Sequence, residues 1–111
     1  MKIGIVILNW NGLDLLRKYL NEIILNSDNS TIYIIDNNSS DESVLYVRNN
    51  YTEVKVISLD KNYGFAEGYN IGLKEVEEEY VCIINNDILV TENWLDPIRK
   101  KIKKHPESII Q

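Results

Sequence analysis

Three short apolar runs in this chain each stop abruptly at polar residues, and this punctuation narrows the possible folds more than any other feature. Ile3-Gly4-Ile5-Val6-Ile7-Leu8 gives way to Asn9-Trp10-Asn11-Gly12, Thr31-Ile32-Tyr33-Ile34-Ile35 to Asp36-Asn37-Asn38, and Tyr80-Val81-Cys82-Ile83-Ile84 to Asn85-Asn86-Asp87. Each run is too short for a helix and rich in β-branched residues, so each reads as a buried strand. Polar side chains at the carboxyl ends of such strands stand where open α/β sheets bind ligands. The three tips predict one crevice lined by Asn9, Trp10, Asp36 and Asp87.

Helical patterns separate the runs. Leu13, Leu16, Leu20, Ile23 and Ile24 recur at helical spacing behind Asn11, which is placed as an N-cap. Ser39-Ser40-Asp41-Glu42 reads as a helix start with acids in its first turn, ahead of Val44, Leu45 and Val47. Residues 54–59 read as a further strand, and Asn62 to Asn70 as a loop entering a helix that runs to about Glu78. A last helix is predicted from Thr91 to Lys104, closed by Pro106, with residues 107–110 beginning a fifth strand. Strands alternating with helices imply right-handed βαβ units, hence a three-layer α/β/α domain with a mostly parallel, Rossmann-like sheet over residues 1–111. A chain that stops inside a strand reads as truncated.

Seventeen acids against twelve bases give a net charge of −5, which leaves little material for a nucleic-acid-binding face. The one basic cluster, Arg99-Lys100-Lys101 with Lys103-Lys104, reads as the solvated side of a helix. Cys82 sits inside an apolar run, reads as a buried small hydrophobe, and as the lone cysteine has no disulfide partner. No apolar stretch approaches the ~18 residues of a membrane span, and no signal-peptide pattern opens the chain. These features point to the cytoplasm, at most peripheral to the inner face of a membrane. The glycosylation-type patterns at Asn29, Asn37, Asn38 and Asn50 then read as chance in an Asn-rich chain.

Each candidate site residue has a functional and a structural reading. Asp87, beside Asn85 and Asn86, suits Mg²⁺ or Mn²⁺ shared with substrate phosphates, since such cations take oxygen ligands and need few protein carboxylates; as a loop acid or helix cap it needs no ligand. Asp36 can accept a hydrogen bond from a nucleobase or ribose, or simply close an Asx-turn. Trp10 can stack on a base, a contact of ~1–3 kcal/mol, or pack under a loop. Gly64, Gly68 and Gly72 fall on one helical stripe, and at ~1 kcal/mol each against alanine they call for close approach to the sheet or to a ligand. His105 is assigned no role.

Four motifs, in order, resemble the nucleotide-binding half of a family 2 glycosyltransferase of the GT-A fold. They are Ile7-Leu8-Asn9-Trp10-Asn11-Gly12, Asp36-Asn37-Asn38-Ser39-Ser40-Asp41, Asn62-Tyr63-Gly64-Phe65-Ala66-Glu67-Gly68-Tyr69-Asn70, and Ile84-Asn85-Asn86-Asp87. The resemblance covers Ile3 to Gln111, and the Gly-Phe-Ala stretch with Asn-Asn-Asp is similar to the rhamnosyltransferase-like branch. It implies transfer of a sugar from a nucleotide diphosphate, UDP- or dTDP-linked, to a hydroxyl of an acceptor glycan or lipid-linked saccharide, with inversion, in bacterial cell-surface polysaccharide synthesis. By that likeness Asn9, Trp10 and Asn11 line the base pocket, Trp10 standing for the more usual tyrosine. Asp36 and Asn38 hold the base or ribose, Asn62, Gly64, Phe65 and Asn70 border the nucleotide, and Asn86 sits beside a metal held by Asp87 and Asn85.

Two departures from the family pattern matter. Asn85-Asn86-Asp87 offers one carboxylate, which lowers expected metal affinity. None of Glu67, Glu92 or Asp96 matches the motif of the general base that an inverting transfer requires, so the base is expected beyond residue 111 and this segment alone is expected to bind without turnover. Ile109 and Ile110, cut off from a continuation, offer an edge for self-association. The rival readings are a non-catalytic nucleotide-binding domain or a phosphoacceptor signalling domain. The latter wants acids after the first strand, where this chain has Asn9 and Asn11. A dinucleotide-binding module wants G-x-G-x-x-G there instead.

Overall fold

A computed structural model describes residues 2–104. Four strands, β1 (Ile3–Asn9), β2 (Ser30–Asp36), β3 (Lys55–Ser58) and β4 (Tyr80–Ile84), form one parallel sheet in the order β3-β2-β1-β4. The helices are α1 (Leu13–Leu25), α2 (Ser43–Asn50), α3 (Phe65–Gly72, continued by a 3-10 turn over Leu73–Glu75) and α4 (Asp96–Lys104). The expected α/β/α architecture is therefore present. The fifth strand expected over 107–110, with His105 and Pro106 before it, lies outside the described residues.

The two-residue period of the strands sorts the core into two layers. Ile3, Ile5 and Ile7 of β1, Ile32 and Ile34 of β2, and Cys82 and Ile84 of β4 face Leu16, Leu20 and Ile23 of α1, Val47 of α2 and Ile102 of α4. Val6, Tyr33, Ile35 and Ile57 face the other way, against Tyr69 of α3. β1 is central and covered on both faces, which is why its sequence is continuously apolar rather than alternating. Burial of each such side chain stabilises the fold by about 1.5–3 kcal/mol.

The path of the chain explains why α3 lies alone on its face. β1 to β2 to β3 steps in one direction across the sheet, whereas β3 to β4 jumps back past β1. A right-handed crossover in the reverse direction must carry its helix over the opposite face. The reversal creates a switch point between β1 and β4, and there the carboxyl ends of the two strands part.

Four local expectations are corrected. Asn11 is not the N-cap of α1: that position is Gly12, and Asn11 takes a left-handed backbone, φ 49°, that turns its amide toward residues 40 and 41. The acids expected in the first turn of α2 precede the helix, with Asp41 folded back as a cap. α3 stops short of Glu78, because Glu78 is drawn to the Thr31 and Tyr33 hydroxyls, 2.7 and 2.6 Å away, which an unbroken helix would not reach. α4 begins at Asp96 rather than Thr91, since Pro97 has no N–H to continue a helix from 91 and suits a first turn. Asn93, at φ 60°, breaks the path just before it.

The glycine stripe divides into different roles. Gly64 precedes α3 with φ 82°, a left-handed backbone that glycine adopts freely. Gly72 lies against β2, where a Cβ would fall 2.3 Å from Ile35 Cδ1 and 2.5 Å from Cγ1. Gly72→Ala is therefore expected to lower stability by about 1–3 kcal/mol despite alanine's better helix propensity. Urea unfolding of the variant checks this, and an unchanged or higher midpoint would show that Ile35 moves aside without cost.

Candidate functional site

The strand tips are held together by the amide of Asn9, which is 1% exposed. Its Nδ2 donates to Asp36 Oδ1 at 3.0 Å and to Ser43 Oγ at 3.0 Å, and its Oδ1 accepts from Asn86 Nδ2 at 3.2 Å. One side chain on β1 thus ties the end of β2, the start of α2 and the loop after β4. Its main-chain carbonyl accepts from Asn37 N at 2.8 Å. Gly12 packs against the Asn9–Asn86 pair, so closely that a Cβ would fall 2.3 Å from Asn9 Oδ1 and 2.5 Å from Asn86 Nδ2.

Around that hub the 36–43 turn is tightly bonded. Asp36 accepts from Ser39 N at 2.9 Å and from Ser39 Oγ at 2.7 Å, a local bond to the backbone three residues on rather than the two of the expected Asx-turn. Asn11 N–H donates to Ser39 Oγ, and Asn11 Oδ1 accepts from Ser40 N at 2.7 Å and Asp41 N at 3.2 Å. Asp41 in return accepts from Leu13 N at 3.1 Å, capping α1 from another segment, and from Ser43 N and Oγ. Burial alone would raise the Asp41 carboxyl, but these hydrogen bonds outweigh it and hold the group below its ordinary value.

Asn37, also buried, fixes the glycine-rich loop. Its Nδ2 donates to the Gly64 carbonyl at 2.9 Å and its Oδ1 accepts from Tyr63 N at 3.0 Å. Asn62 Oδ1 accepts from Gly64 N at 2.8 Å, shaping the turn that sends Phe65 outward. A Cβ at Gly68 would lie 3.0 Å from Asn37 Nδ2 and 3.2 Å from Leu8 Cδ1, so the bare backbone of α3 there lets the Asn37 amide approach closely.

At the switch point an open cleft of about 330 Å³ is lined by Leu8, Trp10, Asn11, Gly12, Leu15, Phe65, Asn85, Asn86 and Asp87. Trp10 is 55% exposed and Phe65 65%, so two aromatic faces stand free beside a solvent-facing carboxylate. Aromatic walls suit a flat ring, and an acid beside amide oxygens suits a cation or a sugar hydroxyl.

The structure thus gathers Trp10, Asn11, Phe65, Asn85, Asn86 and Asp87 of the expected site into one cleft. Asn9 and Asp36, at 1% and 3% exposed, stand beneath it as a bonded floor. Asn38 lies exposed at φ 61° in the 36–43 turn, Asn62 and Gly64 form the loop before α3, and Asn70 is exposed on α3; none of these four lines the cleft. Leu15 and Gly12 were not singled out by sequence. Leu15 is apolar yet off the Leu16-Leu20-Ile23 stripe, which is a legible sign of a second, non-core use.

A divalent cation can be tested against this donor set. Asp87 is exposed in the cleft, Asn85 is exposed beside it, and Asn86 spends its NH₂ on Asn9, which leaves its oxygen as the group to face a ligand. Among the described residues no group of three or more His, Cys, Asp or Glu forms a metal cage. One carboxylate with amide oxygens fits a cation whose remaining ligands come from a diphosphate.

Comparison with known proteins decides the family. The model of glycosyl transferase family 2 matches residues 4–111. The chain belongs to that family. It is 32% identical over 105 residues to a Bacillus subtilis (strain 168) protein described as an uncharacterized glycosyltransferase, YwdF, covering 93% of this chain and 39% of the relative. It is 27% identical over 85 residues to glycosyltransferase GlyG of Streptococcus pneumoniae serotype 4, covering 74% of this chain and 28% of GlyG. Its fold is shared by S. aureus TarS 1–349 in complex with UDP-GlcNAc, at TM-score 0.81 and 21% identity over 96% of this chain and 32% of TarS. It is shared also by the mannosyltransferase PcManGT from Pyrobaculum calidifontis in complex with GDP-Man and Mn²⁺, at TM-score 0.67 and 20% identity over 78% of this chain and 28% of that one. This family 2 chain therefore spans between a quarter and two fifths of the length of these relatives. Among its described residues no helix is long and apolar enough to cross a membrane.

Two outcomes follow from the hub. Gly12→Ala should force Asn9 and Asn86 apart and lower stability by about 1–3 kcal/mol, measured by urea unfolding. Because the folded state favours ionised Asp41, its contribution is complete above the unfolded pKa of about 4 and disappears as pH falls through the lower folded value. The unfolding temperature of Asp41→Asn should accordingly fall less between pH 5 and pH 2 than that of the parent, and parallel curves would exclude the carboxylate as the cause.

Proposed function

We propose that this chain is the donor-binding part of a glycosyltransferase, holding a nucleotide-diphosphate sugar in the cleft between β1 and β4. The observation that carries the reading is the convergence of Trp10, Phe65 and Asp87 at the switch point of the sheet in a family 2 chain. In this reading Trp10 stacks on the base, Phe65 closes the opposite side, and Asp87 with Asn85 and Asn86 faces the diphosphate and a Mg²⁺ or Mn²⁺ ion. When bound, such a cation would neutralise charge gathering on the departing diphosphate. A carboxylate has about four lone-pair sites, and Asp36 already accepts three hydrogen bonds from Asn9 and Ser39. Its role toward the base or ribose is thus exercised largely through the turn it holds, which presents Asn38 and Asn11.

Relatives in complex with UDP-GlcNAc and with GDP-Man and Mn²⁺ support a sugar nucleotide and a divalent ion as ligands. We assign the transfer as inverting, to an acceptor glycan or lipid-linked saccharide in cell-surface polysaccharide synthesis, and the donor as UDP- or dTDP-linked. The Gly64-Phe65-Ala66 stretch beside Asn85-Asn86-Asp87 favours the rhamnosyltransferase-like branch. Among the described residues Asp87 is the one carboxylate lining the cleft, and Glu67, Glu92 and Asp96 lie outside it. Following the family resemblance, we assign the acceptor's general base to sequence outside these 111 residues and infer that this segment binds the donor without transferring its sugar.

Calorimetric titration with UDP and with dTDP, each with and without Mn²⁺, tests the reading. Binding strengthened by the metal is expected, and Asp87→Ala should abolish that strengthening while leaving the unfolding temperature unchanged. Metal-independent binding would remove Asp87 from the site. Absence of binding to either nucleotide would overturn the donor-site assignment for this segment.

A further inference from the structure

We propose that Tyr69 is a positioning residue that sets the width of the cleft by bridging the parting ends of β1 and β4; the inference rests on the donor-site reading above. Tyr69 belongs to α3, on the face of the sheet away from α1, yet its hydroxyl reaches through to the strand ends. It accepts from Leu8 N at 3.3 Å and donates to the Ile84 carbonyl at 3.3 Å. The last paired position of the two strands is Ile7 opposite Ile84, so the hydroxyl sits where the ladder ends and the strands diverge. Beyond those two residues the chain carries Trp10 on one side and Asp87 on the other.

The ring adds a third connection. Phe65, one turn earlier in α3, lies edge-on to Tyr69 with ring centroids 5.0 Å apart. One side chain therefore touches the β1 end, the β4 end and the aromatic wall of the cleft, while it is itself buried and does not line the cleft. Burial pushes the phenol up, so the hydroxyl keeps its proton and serves as donor and acceptor together at neutral pH. A phenylalanine would fill the same space and lose both bonds to the strands. The sequence motif around Gly64 to Gly72 gives this position no role; only the topology, which returns α3 over the switch point, brings it there.

The test compares Tyr69→Phe with Phe65→Ala by amide hydrogen exchange on the free chain and by UDP titration with Mn²⁺. For Tyr69→Phe we expect roughly tenfold faster exchange confined to residues 8–12 and 84–88, and UDP affinity weakened by about five- to tenfold. Phe65→Ala should weaken UDP binding without changing exchange at the strand ends. Unchanged exchange at both ends in Tyr69→Phe, a uniform rise across the sheet, or loss of the fold would overturn the positioning role and make the hydroxyl a general core contact. If the parent chain does not bind UDP at all, the donor-site reading fails by itself, and the exchange comparison still decides whether Tyr69 sets the strand ends.

Discussion

The carboxyl edge of this sheet is organised by a single buried amide. Asn9 has two hydrogens to give and one oxygen to receive with, and it directs them to three segments: Asp36 at the end of β2, Ser43 at the start of α2, and Asn86 in the loop after β4. A hydrocarbon side chain there would leave Asp36 short of a donor in a site that excludes water, at a cost of about 1–3 kcal/mol. A carboxylate would set like charge beside like. Asparagine alone among residues of that size offers both polarities from one planar group. The apolar layers above and below fix the strands, but the amide fixes how their ends are arranged relative to one another.

The donor site proposed above stands on this arrangement rather than within it. The groups that form the floor are buried and hydrogen-bonded to one another, while the cleft walls, Trp10, Phe65 and Asp87, are exposed. Rigid support beneath exposed contacts is what a binding site needs, because a loop carrying a ligand contact is only as well placed as the bonds beneath it. The glycines serve the same end by absence: bare surfaces at Gly12, Gly68 and Gly72 let the amides of Asn9, Asn86 and Asn37 and the side chain of Ile35 close in.

Much of this was legible in the residues. Strand existence, order of elements and the three-layer class follow from apolar runs and their polar stops, since burial on both faces writes itself as continuous Ile and Val. That Trp10 and the 85–87 tip share one cleft was legible too, because strand ends of a parallel sheet share one edge, whereas Phe65, at the start of α3, was expected there only from the family resemblance. The choice between lining and floor was not. Asn9 and Trp10 are neighbours, and only the pleat decides which points into the protein. Element ends differ from the sequence pattern where a side chain has a long-range partner, as with Glu78 and the Thr31 and Tyr33 hydroxyls, or where one backbone-limited residue, Pro97, interrupts an otherwise helical pattern. Tyr69 was invisible for the reason that made it useful: its partners lie on two strands, 61 residues before it and 15 after.

The reversal of direction between β3 and β4 also bears on how the molecule is assembled. β2 pairs with β1 across 27 residues, whereas β4 must pair across 77. The added loop entropy is only about 1 kcal/mol, but it falls entirely on the last strand. Until β4 arrives, the edge of β1 that it covers has main-chain N–H and C=O groups unpaired, a template for any strand that arrives first. A cleft placed at such a seam is completed only when β4 pairs with β1, so its two sides, Trp10 after one strand and Asp87 after the other, come together in the last pairing of the described sheet.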